Sequence, residues 1–325
     1  MKYAFFACCA LCAATSPAAI RIGVIGCDTS HTLDMTRRIN VAKQADFADM
    51  RVTLAYQWGS KDIVSSTNRY PTYLPQMEKM GVRIVPTLAE LLANVDAVLL
   101  ETNDGREHYA QAVEVFKAGK PCFIDKPLAH DLADAMKIVK AAKRYNAKFF
   151  STSNNRYQPN PQKARNGEWG EISSAVLYAP YNVEKTHGRY TWYAIHGFEI
   201  LETIMRRGCE SVTVTAGDPD ELVACRWKDG RIGAIHCEKA IWNYGGYIIP
   251  KKANGKSYEI GVDEGYEELL VDIAKLFKDG VVPIEPEETL EVAAMMAAAE
   301  ESRNRGGVPV TIAEVMDKAS ASIAE

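Results

Sequence analysis

The sequence lacks several features that would assign it directly to a class of protein. Of its 325 residues 25% are charged, but the formal net charge is only −4, so the strongly basic balance of a nucleic-acid-binding protein is absent. Beyond residue 18 no apolar run is long enough to span a bilayer, and no segment is repeated. We therefore expect no nucleic-acid partner, and no membrane partner for the mature chain. A hydrophobic fraction of 47% in a chain of this length predicts two globular domains.

The cysteines form no recognisable framework. Beyond residue 18 they are Cys27, Cys122, Cys209, Cys225 and Cys237, an odd number with spacings that match neither a metal site nor a disulfide set. A two-residue hairpin turn at Asp229-Gly230 would pair Cys225 with Ala234, not with Cys237. We interpret the cysteines as small hydrophobic residues and predict no metal site.

The start of the chain differs from the rest in composition. Lys2 is followed by the apolar run Tyr3–Ala14, and then by the small residues of Ser16-Pro17-Ala18. This order predicts a cleavable signal peptide over residues 1–18, with the mature chain beginning at Ala19. The segment has no arginine pair, so we expect general secretion of an unfolded chain, and a periplasmic or extracellular protein.

A strand, a helix and a second strand follow one another between residues 96 and 127. The apolar runs Val98–Leu100 and Cys122–Ile124 have the composition of strands buried on both faces. The helix between them has apolar residues at i, i+3, i+4 and i+7, namely Tyr109, Ala112, Val113 and Phe116. This arrangement predicts a βαβ unit with parallel strands.

Further strands of the same kind extend this unit into a sheet. They are predicted at Ile20–Gly26, Arg51–Tyr56, Val82–Val85 and Ala147–Phe150. Alternating strands and helices predict an α/β Rossmann-type doubly wound parallel sheet over residues 19–152. Ligands of such sheets bind beyond the carboxyl ends of the strands, where this sequence places Thr102, Asn103, Asp125 and Lys126.

The order of these motifs resembles the Gfo/Idh/MocA (glucose–fructose oxidoreductase / inositol dehydrogenase) family. The matching segments are Thr102-Asn103, His108, Ala118-Gly119-Lys120 and Asp125-Lys126-Pro127, with aspartate where the family has glutamate. The resemblance implies that NAD or NADP is the cofactor, and that Thr102, Asn103, His108, Asp125 and Lys126 contribute to its site.

The turn after the first strand departs from the usual dinucleotide-binding pattern Gly-x-Gly-x-x-Gly/Ala. It reads Gly26-Cys27-Asp28-Thr29-Ser30-His31 and keeps only the first glycine. Asp28 would bring a negative charge toward the pyrophosphate, unless a cation or a changed pose intervenes. Alternatively, Asp28, Thr29 or Ser30 caps the helix, which is compatible with a binding site. We include Gly26, Asp28, Thr29, Ser30 and His31 among the cofactor-binding candidates. The turn resembles an exported subgroup of the family.

The second strand ends without the carboxylate that often holds the adenosine ribose of NAD. Gln57-Trp58-Gly59-Ser60-Lys61 stands there instead. Ser60 or Lys61 would favour NADP by holding its 2′-phosphate, but a surface loop explains these residues equally well. The choice between NAD and NADP therefore stays open.

Residues 153–325 have the pattern of a second, α+β domain. Its strands, predicted at Ser173–Ala179, Val212–Thr215, Leu222–Trp227 and Ile232–Ala240, have few helices between them, so the open sheet should be mostly antiparallel. The closing helices are candidates to pack back on the first domain. In the family the exposed face of this sheet often mediates pairing, which makes a homo-oligomer a candidate assembly.

One helix of the second domain carries a stripe of mixed polarity: Trp192, His196, Glu199 and Thr203. The stripe resembles the family pattern Asp-x-Gly-x-His-x-x-Asp, which implies that His196 is catalytic, that Glu199 orients it, and that Trp192 faces the substrate. Arg156, in a segment that resembles the family's domain junction, is a second candidate for substrate contacts. The alternatives are an ordinary structural histidine and a solvated linker arginine.

The resemblance implies an NAD(P)-dependent oxidoreductase that acts by hydride transfer on a sugar, a polyol or a derivative. In this interpretation Lys126 polarises the reacting oxygen and His196 is the general acid/base. The altered turn and the predicted export leave two alternatives open. One is redox-neutral, NAD-dependent glycoside cleavage, and the other is a cofactor-free carbohydrate-binding protein. The presence of both Lys126 and His196 favours an enzyme.

Overall fold

A computed structural model describes residues 19–42, 45–261 and 265–324, and the predicted signal peptide lies outside them. Among these residues no helix has the length and apolar character needed to cross a membrane. The part of the chain that the structure describes contains a parallel sheet and a mostly antiparallel sheet. This architecture confirms the predicted fold class.

Six strands form the parallel sheet: β1 (Ile20–Ile25), β2 (Met50–Tyr56), β3 (Arg83–Val85), β4 (Ala97–Leu100), β5 (Cys122–Asp125) and β6 (Phe149–Thr152). Their order is β3-β2-β1-β4-β5-β6 and every neighbouring pair is parallel. The order reverses between β1 and β4, and open α/β sheets bind their ligands at such a switch point, outside the carboxyl ends of the strands. The predicted boundary after residue 152 stays a prediction.

Five helices accompany this sheet: α1 (Ser30–Arg37), α2 (Val64–Lys79), α3 (Leu88–Ala93), α4 (His108–Lys117) and α5 (Leu132–Tyr145). Helix α2 falls in a stretch that the sequence analysis did not predict as helical. Pro71 and Pro75 lie inside it, and each proline removes a backbone hydrogen bond. Buried Met77, with Tyr73 and Leu74 packed beside it, anchors α2 on the core of the parallel sheet, so tertiary packing outweighs the local cost.

Seven strands form the second sheet: β7 (Ile172–Pro180), β8 (Cys209–Ala216), β9 (Glu221–Trp227), β10 (Ile232–Glu238), β11 (Gly245–Pro250), β12 (Tyr258–Glu259) and β13 (Val310–Thr311). Their order is β12-β11-β7-β10-β9-β8-β13, and only the pair β7–β10 is parallel. The predicted hairpin joins β9 to β10. Its register places Cys225 opposite Gly233, not Ala234, because Trp227 pairs with Arg231 and three residues, 228–230, connect them instead of two.

The remaining helices are α6 (Pro159–Arg165), α7 (Ile195–Met205), α8 (Glu267–Asp279), α9 (Pro286–Asn304) and α10 (Ile312–Ala324). Helix α7 packs on β7 and β10 and is buried along its whole length. Helix α8 returns to the parallel sheet, where Leu270 and Ile273 share a core with Ile22 and Val52. Helix α9 contacts both β8 and α5 and so connects the two parts of the molecule.

The five cysteines beyond residue 18 are all free thiols and all buried, which confirms their interpretation as small hydrophobic residues. Burial raises the pKa of the Cys27 thiol to about 12. The Cys27 thiol is therefore a neutral packing group, not a nucleophile.

Candidate active site

A cleft of about 170 Å³ opens at the carboxyl ends of the parallel strands and faces helix α7. It is lined by Thr29, Ser30, His31, Ser65, Arg69, Asn103, Asp125, Lys126, Trp192, Tyr193 and His196. Lys126 follows β5 and His196 lies in the first turn of α7, so the fold brings together two residues that are remote in sequence. The predicted candidates Thr29, Ser30, His31, Asn103, Asp125 and Trp192 also line this cleft.

The turn after β1 approaches the end of β4 closely. Gly26 has a φ of +91°, and a Cβ built on it would lie 2.5 Å from backbone atoms of Thr102. Only glycine satisfies both conditions without displacing the neighbouring chain. The hydroxyl of Thr29 then accepts the N–H of Thr32 and caps α1, so Ser30 and His31 stand at the start of that helix.

Asp28 does not line the cleft, which corrects the expectation that it faces the cofactor. Its side chain is buried, and the two carboxylate oxygens accept the backbone N–H groups of Ser60, at 3.0 Å, and Asn103, at 3.1 Å. Burial raises the pKa of Asp28, while these two amides act in the opposite direction. Asp28 therefore connects the loops after β2 and β4 to the first turn.

The loop after β2 is occupied by an ionic network. Ser60 donates its hydroxyl to Asp62 and Asp104, and Arg106 pairs with both carboxylates. The hydrogen bonds from Arg106 and Ser60 hold the pKa of Asp62 down at about 2. Ser60 is buried in this network, so the structure does not support it as a ligand for a 2′-phosphate.

Thr102 and His108 support the cleft from below and do not line it, which is a second correction. Both are buried, and Thr102 donates its hydroxyl to Gln111. The ring nitrogens of His108 lie 2.7 Å from the carbonyl oxygen of Thr102 and 3.2 Å from that of Leu128. His108 thereby ties the loop after β4 to the loop that carries Lys126.

Lys126 stands in a buried, charged environment at the floor of the cleft. Burial lowers the pKa of its ammonium group, while the nearby carboxylates of Asp125 and Glu101 act against that shift. Asp125 Oδ2 lies 2.7 Å from Nδ1 of His31. The ring of His31 in turn packs against Tyr266, with the ring centroids 5.1 Å apart.

His196 is buried, and its Nδ1 lies 2.5 Å from the hydroxyl of Ser153. Burial, and then the positive charges of Lys126 and His31, hold the pKa of His196 well below its usual value. The imidazole is therefore neutral at neutral pH.

Glu199 does not orient His196, contrary to expectation. Its Oε2 accepts hydrogen bonds from the Thr152 hydroxyl, at 2.8 Å, and from Nε of Arg156, at 3.0 Å. Helix α7 is buried on every side, so each of its side chains meets other protein groups. Glu199 lies three residues after His196, and its side chain faces the end of β6 instead of the cleft. Ser153 takes the place predicted for Glu199 beside the histidine.

Arg156 is a structural residue and makes no contact with the cleft, which is a further correction. It is buried, and its guanidinium lies 3.0 Å from Glu199, 2.7 Å from Glu202 and 3.3 Å from Glu288. Burial raises the pKa of Glu202 to about 7, against the effect of Arg156. This cluster joins β6, α7 and α9 beneath the cleft.

His187 is a site-supporting residue that the sequence analysis missed. Its Nε2 accepts the backbone N–H of Gly105 at 2.9 Å, and its ring packs edge-on against Trp192. Burial lowers the pKa of His187 to about 4, so the ring stays neutral as an acceptor. His187 thereby connects the loop after β4 to the segment that carries Trp192. No motif surrounds it in the sequence.

Ser65 and Arg69 were also missed, because they lie on the unpredicted helix α2. Glu101 was missed because it directly follows β4 and reads as part of the loop. Its side chain is fully buried, and burial together with Asp125 raises its pKa well above the usual value.

The structure combines a Rossmann-type parallel sheet, with a cleft at the carboxyl ends of its strands, and a mostly antiparallel sheet. Residues 20–153 match the model of an oxidoreductase family with an NAD-binding Rossmann fold, the Gfo/Idh/MocA family. This part of the chain is similar to that family, as the order of its motifs implied.

Several proteins show the likeness in detail. Myo-inositol 2-dehydrogenase of Thermotoga maritima is 28% identical over 214 residues, which are 58% of this chain and 64% of that enzyme. The apo scyllo-inositol dehydrogenase of Lactobacillus casei has a TM-score of 0.72 at 14% identity, covering 92% of this chain and 100% of its own. The WlbA dehydrogenase of Bordetella pertussis, solved with NADH and UDP-GlcNAcA, has a TM-score of 0.69 at 20% identity, covering 90% and 98%. The solved structures share the fold, whereas the match to the inositol dehydrogenase spans less than two thirds of that enzyme.

Proposed function

We propose that this protein is an NAD(P)-dependent oxidoreductase that transfers hydride between the nicotinamide and a polyol or sugar-like substrate. The observation that carries the proposal is the placement of Lys126 and His196 in one cleft. The likeness of the chain to a myo-inositol 2-dehydrogenase supports this substrate class.

The residues of the cleft fit a dinucleotide. Ser30 and His31 open helix α1 into the cleft, and a helix N-terminus attracts phosphate. Arg69 and Lys126 add positive charge on the same wall, and the carboxylate of Asp28 is turned away. The start of α1 and Arg69 would hold the pyrophosphate, and the bound cofactor would supply the hydride acceptor or donor at its nicotinamide ring.

His196 is the proposed general base in oxidation and the general acid in reduction. Nδ1 of His196 is hydrogen-bonded to the Ser153 hydroxyl. Nε2 is therefore the nitrogen that would receive the proton of a substrate hydroxyl. Its lowered pKa keeps the ring neutral before the reaction. A positioned base of this kind contributes roughly 10²–10⁴-fold to the rate.

Lys126 is the proposed electrophile. Its ammonium group would donate a hydrogen bond to the reacting oxygen and stabilise the negative charge that develops there. Because burial lowers its pKa, Lys126 can also share its proton during turnover.

The experiment is analysis of natively purified protein for bound dinucleotide by mass spectrometry and absorbance, followed by assays of NAD and NADP reduction with inositols and sugars. We expect substrate-dependent reduction that Lys126→Met abolishes while circular dichroism shows an intact fold. Tightly bound dinucleotide with glycoside cleavage and no net reduction would favour the redox-neutral alternative. Failure to bind either dinucleotide, with retained sugar binding, would favour the carbohydrate-binding alternative.

We further propose that the chain is exported after cleavage near Ala19, and that it self-associates through its second sheet. One face of that sheet exposes Val176, Tyr178, Leu222, Tyr247 and Ile249, and contiguous apolar patches of this kind mark interaction surfaces. Sequencing of the mature N-terminus tests export, and a cytosolic protein that keeps Met1 would contradict it.

A further inference from the structure

Glu101 is a buried carboxylate without a partner. It follows β4 and is fully buried, and neither of its side-chain oxygens has a hydrogen-bond partner within the described ranges. Leaving a buried polar group unpaired carries the full cost of removing it from water. A side chain in this position therefore requires an explanation.

Two other donors converge on Glu101. His31 stands in the first turn of α1 and Asp125 ends β5, and each offers a ligand atom that lies within 4.8 Å of one on Glu101 and of one on the other. The three meet because the carboxyl ends of β4 and β5 are neighbours and α1 starts at the same edge of the sheet. One imidazole and two carboxylates thus surround a single point.

The lysine and arginine residues near this point form no direct ion pair with its carboxylates among the described residues. Lys126 and Arg69 line the same cleft and His196 faces it as a neutral ring. Nevertheless, among the described residues no lysine or arginine nitrogen lies within ion-pair distance of the Glu101 or Asp125 carboxylate; the only ion-pair contact is the one from His31 to Asp125. The oxygens of Glu101 remain available to a ligand.

We propose that His31, Glu101 and Asp125 bind a first-row divalent cation of the Zn²⁺ class at the floor of the cleft. Mixed imidazole and carboxylate donors suit such ions, and catalytic zinc sites combine three protein ligands with one open position. His31 and Asp125 line the cleft, so the open position faces it. At this open position the ion binds water or an oxygen atom of the molecule that occupies the cleft. A metal site of this kind goes beyond the proposed hydride transfer.

The chain offers a matched control. Asp220, His236 and Glu238 also bring three donors within 4.8 Å of one another, but they lie on the second sheet, where about half of the His236 side chain is exposed. Asp220 there accepts the backbone N–H of Lys239 and His236 pairs with Glu238, so these groups have partners. His236→Gln therefore removes a comparable histidine from a cluster to which we assign no ion.

The test is calorimetric titration of ZnCl₂ into the mature chain after treatment with a chelator and in the absence of dinucleotide. We expect one saturable site per chain, with affinity reduced at least about tenfold in Glu101→Gln and unchanged in His236→Gln. Asp125→Asn should weaken binding similarly and serves as the second variant if Glu101→Gln fails to fold, as judged from its melting curve.

Absence of saturable binding in the wild type, or equal affinity in wild type and Glu101→Gln, would overturn the proposal. Equal losses in Glu101→Gln and His236→Gln would also overturn it, because the ion would then bind elsewhere. Dinucleotide is absent from the titration, so its outcome is independent of the cofactor proposal.

Discussion

At the scale of single residues, Lys126 and His196 owe their chemistry to a common environment. Burial lowers the pKa of both groups, and the charge of Lys126 lowers that of His196 further. The environment thus favours a neutral imidazole close to a buried ammonium group.

His196→Asn should lower kcat by roughly 10²–10⁴-fold and change KM little, because proton transfer contributes mainly to the transition state. Steady-state kinetics with the best polyol substrate measures both constants. Glu171→Gln, which removes an exposed carboxylate that does not line the cleft, is the control and should behave as wild type. Unchanged kcat in His196→Asn would remove this residue from the mechanism.

Glu202→Gln should change how stability depends on pH. Burial raises the pKa of Glu202 from 4.5 to about 7 in the folded protein, so the folded state binds more protons than the unfolded state between these values. The free energy of unfolding of the wild type should therefore fall as pH rises through this window, by on the order of 1–3 kcal/mol.

The glutamine variant keeps an acceptor for Arg156 but no ionisable group, so this part of the pH dependence should disappear. Urea unfolding at a series of pH values measures the effect. Glu171→Gln, which removes an exposed carboxylate paired with Lys251, should leave the wild-type slope intact. A slope shared by wild type and Glu202→Gln would show that Glu202 does not titrate in this window.

At the scale of elements, the cleft depends on loops that are connected from below. Asp28 connects the loops after β2 and β4, and His108 connects the loops after β4 and β5. His187 also connects the loop after β4 to the segment that leads into α7. The side chains that line the cleft are therefore positioned by buried residues that do not line it.

Asp28→Gly restores the glycine that is usual in dinucleotide-binding turns, yet it should not tighten cofactor binding. It leaves the buried N–H groups of Ser60 and Asn103 without an acceptor, and we expect a loss of about 1–3 kcal/mol in the free energy of unfolding. NAD(P) binding should weaken, because Asn103 and the turn lose their support. Calorimetry measures both quantities, and tighter binding by the variant would show that Asp28 does oppose the pyrophosphate.

At the scale of the whole molecule, the second sheet has one face covered by α7 and one apolar face exposed. Val176 on β7 lies opposite Tyr247 on β11 in that exposed face. A lysine at the centre of an apolar interface is costly to bury. A charged residue introduced on this exposed face should therefore weaken self-association without affecting the stability of the fold.

Val176→Lys should shift the protein toward the monomer without changing its melting temperature substantially, as measured by light scattering and calorimetry. Val308→Lys, at an exposed position outside the strands of this sheet, is the control and should keep the wild-type mass. If the wild type is itself a monomer, or Val176→Lys keeps the same mass, association through this face is wrong.

Much of the fold follows from local patterns. Strand β1 and helix α4 lie where apolar runs and helical periodicity predicted them. Helix α2 was not predictable in the same way, since Pro71 and Pro75 oppose it locally and only packing against the parallel sheet stabilises it.

The sequence by itself determined the parallel sheet and the position of Lys126 at a strand end, because apolar periodicity and turn residues act over short distances. It placed Trp192 on one helix with His196, whereas α7 begins only at Ile195. Only the tertiary structure decided which partner each buried charge meets. Glu199 pairs with Arg156 instead of serving His196, and Asp125 pairs with His31. Such pairings join residues that are distant in the chain, and they depend on a register and a packing that no local pattern encodes.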